Sequence, residues 1–166
     1  MAYNMFLKVE GVDGDSTDAA HDKWIEVVSV NHGLSQEMIV PRDSSGEGHA
    51  SGRRCQFRDF SVVKRLDRAS VPLVSYCFNV QEIPEVTLEI CRATGDKTTF
   101  MKIVLKRAFV ASVSFTGSAS ADDPLPMEEV IFRYGEIEWA YTETSPSGTP
   151  GATLEAWYSV MENQPM

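Results

Sequence analysis

The chain has 166 residues, 43% hydrophobic and 23% charged, which suits one soluble domain (1–166) whose core needs neither disulfides nor metal. Its formal net charge is -9, from 24 acidic and 15 basic side chains, so its average field repels a nucleic-acid backbone. The N-terminus shows no basic region followed by an apolar run, and no apolar stretch approaches the ~20 residues of a membrane span, which argues against a signal peptide and against membrane insertion.

Tyr3, Met5, Leu7 and Val9 alternate with Asn4, Phe6, Lys8 and Glu10, predicting a first strand that ends at Gly11. An acidic loop follows, with Asp13, Asp15 and Asp18. It fails the calcium-loop test, because counting from Asp13 puts Asp18 where glycine belongs and Trp24 where the bidentate glutamate belongs; a solvated loop is expected. Trp24 to Val30 reads as strand, His32-Gly33 as a break, and Leu34 to Val40 as a second extended piece. Residues 41–54 carry Gly46, Gly48 and Gly52 among Ser44, Ser45 and Ser51, the composition of a long mobile loop and a candidate interaction arm. Cys55 to Val63 is again strand-like. The basic residues Arg53, Arg54, Arg58, Lys64, Arg65 and Arg68 cluster here; they read either as a solvated strand and helix edge or as a contact for an acidic patch on another subunit. One helix is predicted, capped by Asp67 or Ser70, with Pro72 in its first turn, a stripe of Leu73, Tyr76, Cys77 and Val80, and an end before Pro84.

Val86, Leu88 and Ile90 alternate with Thr87, Glu89 and Cys91, and a turn at Thr94 to Lys97 leads into a longer alternation. There Met101, Ile103, Leu105, Phe109, Ala111, Val113 and Phe115 fall on one face, interrupted only by Arg107, while Lys102, Lys106, Ser112 and Ser114 fall on the other. An antiparallel hairpin with a bent second strand is expected, since a strand of this length exceeds the usual ~5 to 6 residues. Glu128 to Thr142 forms a second long strand whose apolar phase changes at Gly135, from Val130, Phe132 and Tyr134 to Ile137, Trp139 and Tyr141, predicting a bulge or sharp bend. The remainder, 143–166, reads as a linker and a C-terminal tail whose Trp157 and Tyr158 dock on the barrel or on a neighbouring chain.

Local motifs for chemistry are missing. His21, His32 and His49 lack the short spacing of a helical zinc site, and Cys55, Cys77 and Cys91 form an odd set without CxxC, suited to reduced cytosolic thiols and read as core fillers. No nucleophile elbow or phosphate loop is present, and the carboxylate pairs Asp122-Asp123 and Glu128-Glu129 are explained by solvation. The residues alone therefore predict a mainly β domain with two bent strands, one helix, a long loop and an aromatic tail, without catalytic, cofactor or metal site. A small-ligand-binding β-barrel with an interior cavity remains an alternative.

In order along the chain, Phe6 to Gly11, Gly14 to Asp18, His21 with Trp24 to Val27, Gly33 to Gln36, Asp59 to Ser61, Lys64 to Ser70, Val86 to Ala93, Ser112 to Ser114, Leu125-Pro126, Glu129-Val130 and Tyr134 to Trp139 resemble the haemolysin-coregulated protein family of bacterial type VI secretion. Two departures stand out: Val71 separates Ser70 from Pro72, where the family places proline directly after the serine or threonine, and the tail matches only in outline through Ala156-Trp157 and Asn163. The resemblance implies a barrel of two packed antiparallel sheets with one short α-helix on the side, assembling as a homohexameric ring. It further implies that rings stack into a tube inside a contracting sheath, capped by a spike protein, carrying small effector proteins in the lumen. Such a subunit assembles in the cytoplasm and is secreted without a signal peptide. Family position places lumen contact at Ser29, Asn31 and His32, and the long loop offers Ser44, Ser45, Gly46, Glu47 and Gly48 for ring stacking.

Overall fold

The computed structural model describes residues 3–39, 51–52, 54–93, 98–117, 126–144 and 150–165. The elements are β1 (Tyr3–Val9), β2 (Ile25–Asn31), β3 (Leu34–Ser35), β4 (Met38–Ile39), β5 (Ser51–Gly52), β6 (Gln56–Phe57), β7 (Phe60–Arg65), α1 (Ser70–Phe78), β8 (Ile83–Arg92), β9 (Thr99–Thr116), β10 (Met127–Arg133), β11 (Glu136–Thr144), β12 (Pro150–Ser159) and β13 (Gln164–Pro165). Six strands in the order β10-β7-β2-β1-β8-β9 close into a barrel through the β9–β10 pairing. The sheet then continues beyond β9 as β11-β12-β13. Closure removes edges from the barrel, and the extension puts one back.

Alternation decides which side chains fill the interior. Leu7, Ile25, Phe60, Leu88, Leu105, Val130, Phe132 and Ile137 are all buried and form one cluster. Each contributes about 1.5 to 3 kcal/mol of burial, offset by the entropy of ordering the chain. Leu73 joins this core from α1, which packs against β9.

Both long strands turn corners, but β9 does so differently from the alternation in its sequence. Ile103 and Leu105 are buried, Arg107 adopts φ 52°, and the buried positions then shift to Ala108 and Val110. The β9–β10 register slips between the Ile131–Ser112 and Phe132–Val110 pairs, leaving Ala111 unopposed, and beyond it Val113 packs on the core. Two phase switches replace the single dry face expected from Met101 to Phe115. Phe109 is only half-buried and Phe115 is exposed. Across the ladder, Tyr134 and Gly135 interrupt the second long strand where the phase change predicts it, between buried Phe132 and buried Ile137. Gly135 donates its N–H to the Lys106 and Arg107 carbonyls and accepts from the Val160 and Met161 N–H groups. The left-handed residue of this corner is therefore Arg107, and glycine is favoured at position 135 by close packing: a Cβ there would lie 2.8 Å from Met161 Sδ.

Several sequence expectations are corrected by packing. The acidic loop is pinned to the barrel rather than solvated as a whole: Ser16 and His21 are buried, and a Cβ on Gly14 would lie 2.4 Å from the Trp24 carbonyl oxygen. Arg53 lies outside the described residues, and Lys64 and Arg68 of the basic set do not share a surface patch. Lys64 is completely buried and pairs with Glu128 and with Asp67 (2.6 Å), whereas Arg68 pairs with Asp15 on the surface (2.6 Å). Glu128 is likewise buried, so solvation does not explain it; a fully desolvated charge needs its counter-charge, and Lys64 supplies it. Helix α1 opens at Ser70 with Ala69 as N-cap and no side-chain cap; Asp67 instead accepts from the Ala69 N–H (2.9 Å), and Ser70 Oγ donates to Glu128 (2.6 Å). Of the stretch read as linker and tail, ten residues form β12, paired along β11 from Glu136–Ser159 to Thr142–Thr153.

Candidate functional site

The barrel presents two outer walls of different character. On β2 the register against β7 slips between Val27–Lys64 and Ser29–Val63, so Val28 and Ser29 both face outward and Asn31 follows on the same side. Asn31 lies opposite Ser61, Ser61 opposite Ile131, and Ile131 opposite Ser112; one row further, Ser29, Val63, Glu129 and Ser114 align in the same way. Four adjacent strands thus build one mostly polar wall, broken by the half-buried Ile131 and Val63. Ser61 donates to Glu129 across it (2.5 Å). Ser29 and Asn31, taken from family position, are brought together here, and Ser112 and Ser114 join them.

Lys102 and Lys106 belong to the second wall, formed by β9, β11 and β12. Ala140 and Glu136 lie directly opposite them, Glu155 and Ser159 continue those rows on β12, and Trp157 lies opposite Glu138 between them. Lys106 bonds Glu138 at 2.5 Å, and this hydrogen bond raises the Lys106 pKa above its ordinary value. Both partners are well exposed, so the pair sets local charge order more than stability. Trp157 and Leu154 remain exposed, and β13 covers only Tyr158 and Ser159 of the outer β12 edge.

His32 separates from Ser29 and Asn31. Past the end of β2 its ring turns into an aromatic cluster, with Nε2 2.7 Å from the Tyr134 hydroxyl and the ring against Phe60, Tyr134 and Trp139. Burial lowers its pKa, holding the imidazole neutral, and burial is also the main cause of the raised Tyr134 pKa. Phe57 stacks on Tyr158 at 4.7 Å and lies 6.5 Å from Trp139. This cluster clamps the root of an arm: β3 pairs with β6, and further out β4 pairs with β5. Leu34 and Met38 are exposed along it. The proposed stacking residues Ser44, Ser45, Gly46, Glu47 and Gly48 lie outside the described residues.

The model of the type VI secretion system effector Hcp family matches residues 6–141. The chain belongs to the Hcp family. It is 28% identical to the Pseudomonas aeruginosa protein hcp1 over 165 residues, covering 98% of both chains. Among solved structures, it is similar to a type six secretion system protein at 31% identity, with a TM-score of 0.90 and 99% and 100% of the two chains covered. It also resembles Hcp1 from Salmonella typhimurium at 28% identity, with a TM-score of 0.80 and full coverage of both chains.

Within this Hcp fold, sequence reasoning missed the continuity of the polar wall, because its rows are set by register slips at Val28 and Ala111 that alternation does not reveal. It also missed the aromatic clamp. Phe57, Tyr134, Trp139 and Tyr158 come from four separate stretches; the apolar phases around Gly135 and the aromatic tail pointed to three of them singly, and nothing in the sequence joined them.

Proposed function

We propose that this chain is the tube subunit of a type VI secretion machine: six copies close into a ring, rings stack into the inner tube, and the lumen carries small effector proteins. The observation that carries this reading is a barrel packed through its interior whose outside is divided into a polar wall, an open-edged extension and a two-stranded arm. A packed interior disfavours the small-ligand barrel, which needs a cavity. The polar wall, with Ser29, Asn31, Ser112, Ser114 and Glu129, suits a lumen that holds effectors without gripping them. His32 supports the arm beside that wall. The outer β12 edge and exposed Leu154 and Trp157 suit a heterologous contact with a neighbouring subunit, the kind of contact that closes rings.

The role is structural, without catalysis. The subunit assembles in the cytoplasm, meets the spike at the tube tip and the sheath around it, and leaves the cell through the machine. Among the described residues no helix is long and apolar enough to cross a membrane. In this reading the chain segment between β4 and β5, which contains Ser44 to Gly48, contacts the adjacent ring. Deleting Ser44 to Gly52 is expected to leave rings intact and shorten or abolish stacks in electron micrographs; tubes of unchanged length would reject the stacking role.

A further inference from the structure

One largely buried cluster lies apart from the walls and arm described above. Glu89 and Cys91 stand two residues apart on β8 and so share its outer face. The pinned loop between β1 and β2 lowers His21 onto that face, where its ring stacks on Phe6 at 4.2 Å and meets Trp24 edge-on at 4.8 Å. His21 Nε2 lies 2.9 Å from Glu89 Oε2 and 3.8 Å from Cys91 Sγ, and the donor atoms of all three residues lie within 4.8 Å of one another. The Thr99 hydroxyl faces the same point, 3.2 Å from Cys91 Sγ and 3.0 Å from Glu89 Oε2.

The hydrogen-bond arithmetic of His21 does not close with a neutral ring. Its Nδ1 lies 3.2 Å from Asp18 Oδ1 while Nε2 faces Glu89. Neutral imidazole carries one N–H, so a proton donated to Asp18 leaves the Nε2 lone pair directed at carboxylate lone pairs. The other neutral tautomer donates Nε2–H to Glu89 at 2.9 Å and leaves Nδ1 facing Asp18 Oδ1, so a second proton, or a cation at one of the two contacts, completes the pairing. A proton would satisfy Nε2 and Glu89, whereas a cation would also engage the Cys91 thiol beside them.

We propose that His21, Glu89 and Cys91 form a zinc(II) site, with Thr99 or water as the fourth ligand and Asp18 orienting the imidazole from behind. Tetrahedral zinc with ordinary Zn–S, Zn–N and Zn–O lengths separates its donors by roughly 3.3 to 3.6 Å. The observed 2.9 and 3.8 Å bracket that range, and the Glu89 and Cys91 donors lie within 4.8 Å of each other, so shifts of about an ångström bring all three into position. Thiolate and imidazole together select zinc over magnesium or calcium. A carboxylate on the Nδ1 side is the usual orienting partner of a ligating histidine. Glu89, with 19% side-chain exposure beside nearly buried His21, marks the way in. Bound zinc would join the loop to β8 and stabilise the subunit by mass action.

The test uses the full chain, freed of metal by a chelator and titrated with zinc and, separately, with cobalt(II). About one zinc per chain is expected, with a rise in Tm, and cobalt should give a thiolate charge-transfer band in the near ultraviolet. Cys91→Ser should abolish that band, and Asp18→Asn should weaken zinc binding about 10 to 100-fold. A Cys55→Ser, Cys77→Ser double variant should keep the band, and this arm holds even where Cys91→Ser fails to fold. Absence of the band in the unaltered chain, its persistence in folded Cys91→Ser, or its loss from the folded double variant would overturn the site. A chain that binds no zinc and shows His21 as imidazolium by nitrogen NMR would assign the gap to a proton.

Discussion

Two glycines of this fold make opposite demands on a substituent. A Cβ at Gly14 would meet only backbone, the Trp24 carbonyl and the Ile25 Cα, which cannot yield without moving the whole loop. Gly14→Ala should therefore cost about 3 kcal/mol. At Gly135 the nearest atom is the sulfur of exposed Met161, which can swing away. Gly135→Val should cost less, about 1 to 3 kcal/mol, mainly through crowding of Arg107. Urea unfolding of both variants checks the order; a Gly135→Val cost larger than that of Gly14→Ala would reverse the packing explanation. His32 supplies a pH dependence. Its folded pKa lies below the ordinary 6.5 because burial penalises the charged ring, so the unfolded chain binds a proton first on acidification. The stability it contributes is complete above pH 6.5 and is lost as pH falls from there through the folded pKa. Unfolding midpoints measured from pH 8 to pH 5 should decline less steeply in His32→Asn, and an equally steep decline would remove His32 as a cause.

At the scale of elements, the corner where β9 meets the β10–β11 strand shows what was legible and why the rest was not. The phase change at Gly135 is written in the sequence, because Phe132 and Ile137 are large apolar residues on opposite parities. The matching switch in β9 is hidden: Ala108 and Val110 on one parity and Phe109 and Ala111 on the other are all apolar, so alternation cannot say which pair turns inward. Arg107 was the one visible irregularity, and it marks the left-handed residue. Arg107→Gly should thus be neutral or stabilising by up to about 1 kcal/mol, since the pairing it gives up with exposed Glu82 is long, at 3.7 Å. A loss of more than that in urea unfolding would contradict the strain at this corner. The same limit explains the candidate site. Ser29, Asn31, Ser112 and Ser114 were each visible as polar, but their joining into one wall depends on pairings between strands far apart in sequence. Lys64 was misread for a related reason: its counter-charge Glu128 arrives from β10, and charge counted along the chain cannot see it.

For the whole molecule, fold and family were readable because many short matches fall in order along the chain. The proposed assembly rests on different features: a packed barrel whose polar wall, open β12 edge and clamped arm suit contacts within a larger particle. The alternating polarity of β9 that first suggests a core strand divides between the two walls, Ser112 and Ser114 facing the proposed lumen and Lys102 and Lys106 the β11–β12 extension. If those walls close a ring, the particle mass must be a multiple of the subunit. Light scattering of the purified protein at micromolar concentration should give about six times the 18.4 kDa chain mass, and a particle that stays monomeric across that range would contradict the ring.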